Sequence, residues 1–524
     1  MSFVKDFWED DQIVWPQEPD TSSIERICRQ RLALLSDATC SVSLMAEGSR
    51  NKVYNINTDD LAYVMRVCLP LDPLKVSGEV ATMEFVRQKT TIPVPSVVAF
   101  DPSGGEELPF PWILMDFAKG TALRRPWRHM GMDRKRKIVT QLADIQSQLA
   151  RVQFSAIGGI QRSEVNGDFV IGRATNEDYR RPGYNFPAIL GPQFCSHDWV
   201  QVRLAEVARL LDETISGFPT AEAGDVVAQH FAKELARDKT QVEAILPFLP
   251  GCYSPSLPES TSLYHWDLHA DNIFIDDNDT ITAVLDWELL IAVPEWSAME
   301  FPKFLRTKHR KRAPVREDYG EVEDWLEEEE KSDAMGCNRS YWKAQGEWEA
   351  TQLRTFYLAE MDRMSPGWAD RHRATKFHRV LEQQILFLEY GGWNGDVRGW
   401  LEAYQGDGQV PKEGRMDSKW PTLQEDTPCD AELYDDESDV DDEAGIDDRS
   451  EHDRENASFV PVVEEMGPGE TDCTEKTVVG QPRTEETVEG KDEWERISEK
   501  TRSGGSSGFQ FIKSFFNFYF YLSD

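Results

Sequence analysis

The sequence predicts an α+β chain with a small strand-rich lobe, a larger and mainly helical part, and an acidic tail that does not fold. Three observations carry this. Residues 41–116 hold short alternating or β-branched runs separated by turn residues. From about 119 onward, apolar residues recur at helical spacing. After roughly 406 that periodicity is lost, and residues 406–524 carry 32 acidic against 12 basic side chains, a net −20 of the chain's −37.

In the first region Ser41–Leu44, Lys52–Asn57 and Ala62–Cys68 read as strands, with Glu47-Gly-Ser-Arg-Asn51 as the turn between the first two. Lys75–Gln88 carries Val76, Val80, Met83 and Val86 at helical spacing, and Thr91-Ile-Pro-Val-Pro95 stops it. Ser96–Ala99 and Trp112–Met115 add two strands, making a five-stranded sheet with one helix across it. The helical part begins with Arg134–Val152, whose Ile138, Leu142, Ile145 and Leu149 share a face, and continues with Trp199–Ile215 and Val226–Leu246. Short strands Ser262–His265 and Ile273–Ile275 interrupt it, the second pairing with Ile281–Leu285 across Asp276-Asp-Asn-Asp279. Tyr341–Met361 and Arg373–Glu389 are further helices, and Glu321–Glu330 is a solvated acidic face or insertion. The boundaries expected are an N-terminal extension over 1–40, an N-lobe over 41–118, a helical C-lobe over 119–405 and a disordered tail over 406–524. Two readings stand for the aromatic end 509–522: a docking peptide, or the translated end of an intron.

The 524 residues are enough for two or three domains, with 40% hydrophobic residues as in ordinary globular proteins. A chain this acidic repels nucleic-acid backbones and anionic membranes, so neither is expected as a partner. The eight cysteines are scattered with no CxxC pair, which suits reduced thiols. The N-terminus lacks an apolar signal core and is acidic, no run approaches the roughly 18 apolar residues of a spanning helix, and the cytoplasm is the expected compartment.

The chemistry concentrates in Tyr264-His-Trp-Asp-Leu-His-Ala-Asp-Asn-Ile-Phe-Ile275 and Ile281-Thr-Ala-Val-Leu-Asp-Trp-Glu288. Magnesium-assisted phosphoryl transfer needs a group that orients the attacking hydroxyl and oxygen ligands that hold the metal on the phosphates. Asp267 suits the first task, and Asn272 and Asp286 suit the second, in the order in which kinases carry them. The turn around Gly48, Ser49 and Asn51 sits where backbone N–H groups cover phosphates. Arg66, a charge inside an apolar strand, needs a partner, which Glu79 or Glu84 supplies. Two alternatives remain open. His265, Asp267, His269 and Asp271 alternate, so in an extended strand they share a face as ligands of a metal-dependent hydrolase would. A nucleotide-binding pseudokinase that scaffolds protein partners through its acidic tail is the other.

These motifs resemble the aminoglycoside phosphotransferase/choline kinase-like family, especially its fungal branch, over residues 40–400. The strongest are His265-Trp-Asp-Leu-His-Ala-Asp-Asn-Ile-Phe-Ile275 and Leu285-Asp-Trp-Glu288; Gly48–Tyr54, Thr91–Pro95, Ile113–Phe117 with Gly120, and Pro294-Glu-Trp296 support them. The resemblance implies a two-lobed protein-kinase-like fold with an antiparallel-sheet N-lobe and ATP between the lobes. It implies Asp267 as catalytic base, Asn272 and Asp286 as ligands of Mg2+, Arg66 on the phosphates with Glu79 as its helix partner, and Met115, Asp116 and Phe117 as the hinge beside adenine. Trp266 stands where many relatives have glycine, which alters the acceptor side. The acceptor is expected to be a small molecule with a hydroxyl group; its identity, and ATP against GTP, are not legible.

Overall fold

The computed structural model describes residues 8–9, 12–13, 15–48, 50–175, 191–217, 226–253, 259–288, 290–319 and 337–390. The predicted tail over 406–524, the acidic run Glu321–Glu330 and Ser49 of the expected phosphate turn lie outside the described residues.

The N-lobe forms as its sequence pattern requires. Helix α1 (Thr21–Arg31) is capped by the Asp20 carboxylate, which accepts from the Ser22 and Ser23 N–H groups. It is followed by strands β1 (Cys40–Glu47), β2 (Asn51–Thr58) and β3 (Ala62–Cys68), helix α2 (Lys75–Lys89), and strands β4 (Val97–Asp101) and β5 (Trp112–Asp116). The five strands make one antiparallel sheet in the order β1-β2-β3-β5-β4. Alternation decides which helix each side chain meets. Met65, Val67, Trp112 and Leu114 join Ile24, Ile27 and Cys28 of α1 in one core, while Cys68, Ile113 and Met115 join Val76, Val80, Met83 and Val86 of α2 in another. Arg66 shares the face of Cys68, so its guanidinium is delivered to α2. Residues 15–31, read as part of an extension, thus build one of the N-lobe's two cores.

Beyond β5 the chain crosses through Gly120, whose φ of +105° and close approach to the Ile275 carbonyl exclude a Cβ. It enters β6 (Thr121–Ala122), a single turn at Arg124–Trp127, and helix α3 (Met132–Arg151). Then come β7 (Gln153–Phe154), β8 (Gly158–Arg162), β9 (Phe169–Gly172), helices α4 (Ser196–Gly217) and α5 (Val226–Ile245), and strands β10 (Thr261–Tyr264), β11 (Ile273–Ile275), β12 (Ile281–Val284) and β13 (Ile291–Pro294). Helices α6 (Arg339–Met364), α7 (Trp368–Ala374) and α8 (Lys376–Tyr390) complete the described C-lobe. Its helices surround two small sheets, β12-β11-β6 and β9-β8-β13-β10-β7.

Two expectations need correcting. The reading of 119–405 as helical apart from the motif strands missed β7, β8 and β9: β7 and β8 are short and find partners more than 100 residues away in β10 and β13, and β9 pairs back on β8. The predicted helix Arg373–Glu389 is two helices. α7 ends at Ala374 and α8 starts at Lys376, with Thr375 between them leaving the helical backbone at φ −96° and ψ +7° while its hydroxyl bonds back to the Arg371 carbonyl. The predicted hairpin is present: β11 and β12 pair antiparallel across the Asp276–Asp279 turn. The Asp279 carboxylate accepts two bonds from Arg134 of α3, at 2.8 and 2.6 Å, which fixes that turn. The six cysteines among the described residues are free thiols. Among the described residues no helix is long and apolar enough to cross a membrane.

Candidate active site

The segment from Tyr264 to Glu288 folds as a loop, a hairpin and a second loop. β10 ends at Tyr264, and from there the chain turns: the His269 N–H bonds to the Asp267 carbonyl at 2.9 Å, and the Asn272 N–H to the His269 carbonyl at 3.1 Å. The alternating metal face that the sequence allowed for His265, Asp267, His269 and Asp271 therefore does not form, because no strand runs through them. His265 instead turns inward, its Nε2 donating to the Leu285 carbonyl at 3.0 Å and its ring meeting that of Trp287 edge-on. Among the described residues no group of three His, Cys, Asp or Glu side chains is gathered as a metal site.

Burial pushes the His265 imidazole down to about 4, and the bond to the Leu285 carbonyl, which favours the charged ring, offsets this only in part. The sign follows directly. Between pH 6.5 and 4 the unfolded chain binds the proton more tightly than the folded one, so stability falls with pH across that window by about 3 kcal/mol from this group. Urea unfolding of wild type and His265→Gln at pH 6.5 and 4.5 checks it: the variant should lose most of this slope, and equal slopes would refute the assignment.

Asp267 sits at the open side of the loop. Its Oδ1 accepts from Lys303 Nζ at 3.0 Å, and its Oδ2 lies 3.4 Å from His269 Nε2. Burial alone would raise this carboxyl, yet the hydrogen bonds from His269 and Lys303 outweigh it and hold the group well below the usual carboxylate range. His269 responds in the opposite sense. Burial would lower it, but its contacts with the Asp267 and Asp271 carboxylates raise it to about 9. Asn272 gives its Nδ2 to the Asp267 carbonyl at 2.9 Å, and its own carbonyl takes the Leu285 N–H at 2.8 Å. Those two bonds tie the loop to the residue before Asp286.

Asp286 has a left-handed backbone, φ +63°, a conformation that costs an aspartate energy and is found where structure over-determines a residue. Its Oδ1 is buried without a hydrogen-bond partner among the described residues. Burial, with the Glu288 carboxylate beside it, pushes the group up to about 7. Arg66 Nη1 lies 3.7 Å from that Oδ1, and Arg66 Nη2 lies 3.7 Å from Glu288 Oε2 while pairing directly with Glu79. Lys75, the first residue of α2, reaches Glu288 at 3.1 Å and Asn51 Oδ1 at 3.3 Å. Burial would raise Glu288, but Lys75 and Arg66 overcome that and lower it.

The predicted residues thus fall into two groups. Arg66, Glu79, Asn51 and Asp286 come together in one charge cluster between the lobes, buried at Arg66 and Glu79 and half-buried at Asn51 and Asp286, and Asp267 and Asn272 stand beside it on the loop. Gly48 is less suited to cover a phosphate than its place in the turn suggested, because its N–H already bonds to the Asn51 carbonyl at 2.8 Å. Met115 is buried at the end of β5, the Asp116 N–H is taken by the Ser96 carbonyl at 3.0 Å, and Phe117 is 38% exposed where the chain leaves the sheet. Sequence reasoning missed Lys75, Glu288 and Lys303. Glu288 stood inside the quoted motif and Lys75 opened the predicted helix, so a demand for counter-charges could have found both. Lys303, 36 residues from Asp267, carries no local signal.

The model of the Phosphotransferase enzyme family matches residues 41–291, from β1 to the start of β13. "Altered inheritance of mitochondria protein 9, mitochondrial" of Meyerozyma guilliermondii is 32% identical over 128 residues, 23% of this chain and 21% of that protein. The protein of the same name from Kluyveromyces lactis is 24% identical over 317 residues, 50% of this chain and 51% of its own length. The chain therefore spans about half or less of the length of these curated relatives. The crystal structure of aminoglycoside phosphotransferase APH(4)-Ia is 17% identical, covering 73% of this chain and 96% of that one at a TM-score of 0.36. Residues 41–291, which carry both halves of the charge cluster and the loop beside it, are thus similar to the phosphotransferase enzyme family.

Proposed function

We propose that the chain is an ATP- and Mg2+-dependent phosphotransferase acting on a hydroxyl group of a small-molecule acceptor. The observation that carries this reading is the meeting of the lobes at the Arg66–Glu79 pair and Asp286, with Arg66 3.7 Å from the Asp286 carboxylate. A cation held by a helix carboxylate on one side of a cleft, facing an oxygen-ligand set on the other, is the arrangement that phosphoryl transfer requires.

The residues fit a magnesium ion. Asp286 Oδ1 is buried with no hydrogen-bond donor and only the longer Arg66 contact at 3.7 Å, and burial beside Glu288 disfavours its charge, which a metal ion would relieve. Asn272 has committed its Nδ2, which leaves its Oδ1, so the pair offers one anionic and one neutral hard oxygen. Bound magnesium would neutralise charge on the phosphates. Arg66 would hold the α/β-phosphates with Glu79 fixing its fork, and the crossing at Met115, Asp116 and Phe117 would border the adenine. The Asn51 side chain, tied to Lys75 and Glu288, would steady the backbone at Gly48, whose N–H bonds to the Asn51 carbonyl.

Asp267, held ionised by Lys303 and His269, is a weak proton acceptor. Its role is then chiefly to orient the acceptor hydroxyl, and catalysis rests on position and charge. Trp266, edge-on to Tyr264 at 5.2 Å, narrows the acceptor side.

A thermal-unfolding titration tests the proposal. Mg·ATP at about 100 times its Kd should stabilise the wild type by about 2.7 kcal/mol. Asp286→Asn should keep its fold and lose the magnesium-dependent part of that gain. An identical response of wild type and variant would remove Asp286 as a metal ligand, and no response of the wild type would sink the nucleotide reading.

A further inference from the structure

The helix that supplies Glu79 and Lys75 is fastened to the C-lobe from outside the charge cluster. β8 pairs with β13, which begins three residues after Glu288, and β9 returns along β8. The β8–β9 hairpin and the three residues after it lie along α2. At the far end of α2, Arg162 bonds to Glu84 at 2.6 Å, and Phe169 meets Phe85 edge-on at 5.1 Å between ring centres. At its near end, Arg173 grips Asp72 with two bonds, at 2.6 and 2.9 Å. Asp72 is 4% exposed, and its Oδ1 also takes the Leu74 N–H at the entry to α2. Two residues on, Thr175 Oγ1 donates to the Glu288 backbone carbonyl at 3.0 Å.

The seating is close. A Cβ on Gly78 of α2 would stand 3.5 Å from Thr175 Cγ2 and 3.8 Å from the Ile160 carbonyl oxygen, ordinary contact distances. The crevice left between helix and hairpin is about 10 Å³, space for a single water at most. The contacts close a ring: Glu288 leads into β13, β13 to the hairpin, the hairpin through Arg173 and Thr175 back to α2 and Glu288, and α2 through Glu79 to Arg66.

We infer that Arg173 and Thr175 are positioning residues for nucleotide binding: they seat α2 against the C-lobe so that Glu79 presents Arg66 to the phosphates. Neither touches Arg66, so they act through the helix. The physical reason is that Arg66 is set by Glu79, and Glu79 by the placement of α2 relative to Asp286 and Glu288. A helix attached only to its own sheet would be free to shift against the C-lobe, whereas one tied at both ends is not. The inference rests on the nucleotide reading above.

Its test uses the full chain, a fluorescent ATP analogue with magnesium, and amide hydrogen exchange. In Arg173→Ala the dissociation constant should rise about tenfold, and in Thr175→Val, which removes a single hydrogen bond, about threefold. Exchange over 75–89 should quicken in both variants while 112–116 and 132–151 keep their wild-type rates. If Arg173→Ala fails to fold because the buried Asp72 loses its two Arg173 bonds, Thr175→Val decides alone. Dissociation constants within twofold of wild type in the folded variants would overturn the inference, as would faster exchange spread evenly over the chain. A wild type that binds no analogue sinks the nucleotide reading instead, and the exchange rates still report whether the hairpin seats α2.

Discussion

Asp267→Asn is expected to lower phosphoryl transfer by about 10²–10⁴-fold while leaving Mg·ATP binding and the fold in place. The substitution is nearly isosteric, and the Asp267 side chain is 37% exposed, so little packing is lost. What is lost is the anion that Lys303 and His269 hold at the mouth of the site. An amide there still fills the space but no longer accepts from an acceptor hydroxyl with the strength of a carboxylate. The measurement is transfer of the labelled γ-phosphate of ATP to a pool of hydroxyl metabolites, wild type against variant, with nucleotide affinity followed in parallel. Products formed equally by both proteins would remove Asp267 from the chemistry. A wild type that binds nucleotide but labels nothing across broad pools would favour a nucleotide-binding scaffold over an enzyme.

Arg66→Ala should be the most destabilising single change at the site, by about 3–5 kcal/mol, because it strands Glu79 in the interior. Glu79 is 2% exposed and Arg66 9%, so water cannot compensate for the missing partner. Glu288 keeps Lys75 at 3.1 Å, which limits the damage to the Glu79 side. The double variant Arg66→Leu/Glu79→Leu separates stability from function: removing both charges should recover much of the lost stability while nucleotide binding stays absent. Urea unfolding followed by tryptophan fluorescence, with nucleotide binding at low urea, measures both. A single variant that costs under about 1 kcal/mol would mean that Glu79 finds another partner, and the clamp would need a different arrangement.

Legibility followed the range of the interactions. The N-lobe strands could be read because alternation in Ala62–Cys68 and Trp112–Asp116 is a local property, and the same alternation already put Arg66 beside Cys68. The helix over Lys75–Lys89 could be read from Val76, Val80, Met83 and Val86, and its stop from the prolines that follow. The strands Gly158–Arg162 and Phe169–Gly172 could not. A five-residue run beginning Gly-Gly has little strand propensity of its own; it pairs with Phe169–Gly172 in a hairpin and is joined to the sheet by Ile291 and Ala292, about 130 residues away. The metal face through His265, Asp267, His269 and Asp271 assumed an extended backbone, and the hydrogen bonds of the turn replace it.

By itself, then, the sequence determined which chemical groups are available and in what order: Asp267, Asn272 and Asp286 at spacings that a turn and a hairpin bring together, and Arg66 on a strand face with Glu79 one helix away. Only the tertiary structure decided how those groups are charged and held. It set Lys303 on Asp267, Lys75 on Glu288 and Arg173 on Asp72, contacts 36, 213 and 101 residues apart. The reason is physical. Periodicity and turn chemistry act between neighbours along the chain, whereas burial and counter-charge depend on what the fold brings near, and here they lower the Asp267 carboxyl, raise that of Asp286, and tie α2 to the C-lobe.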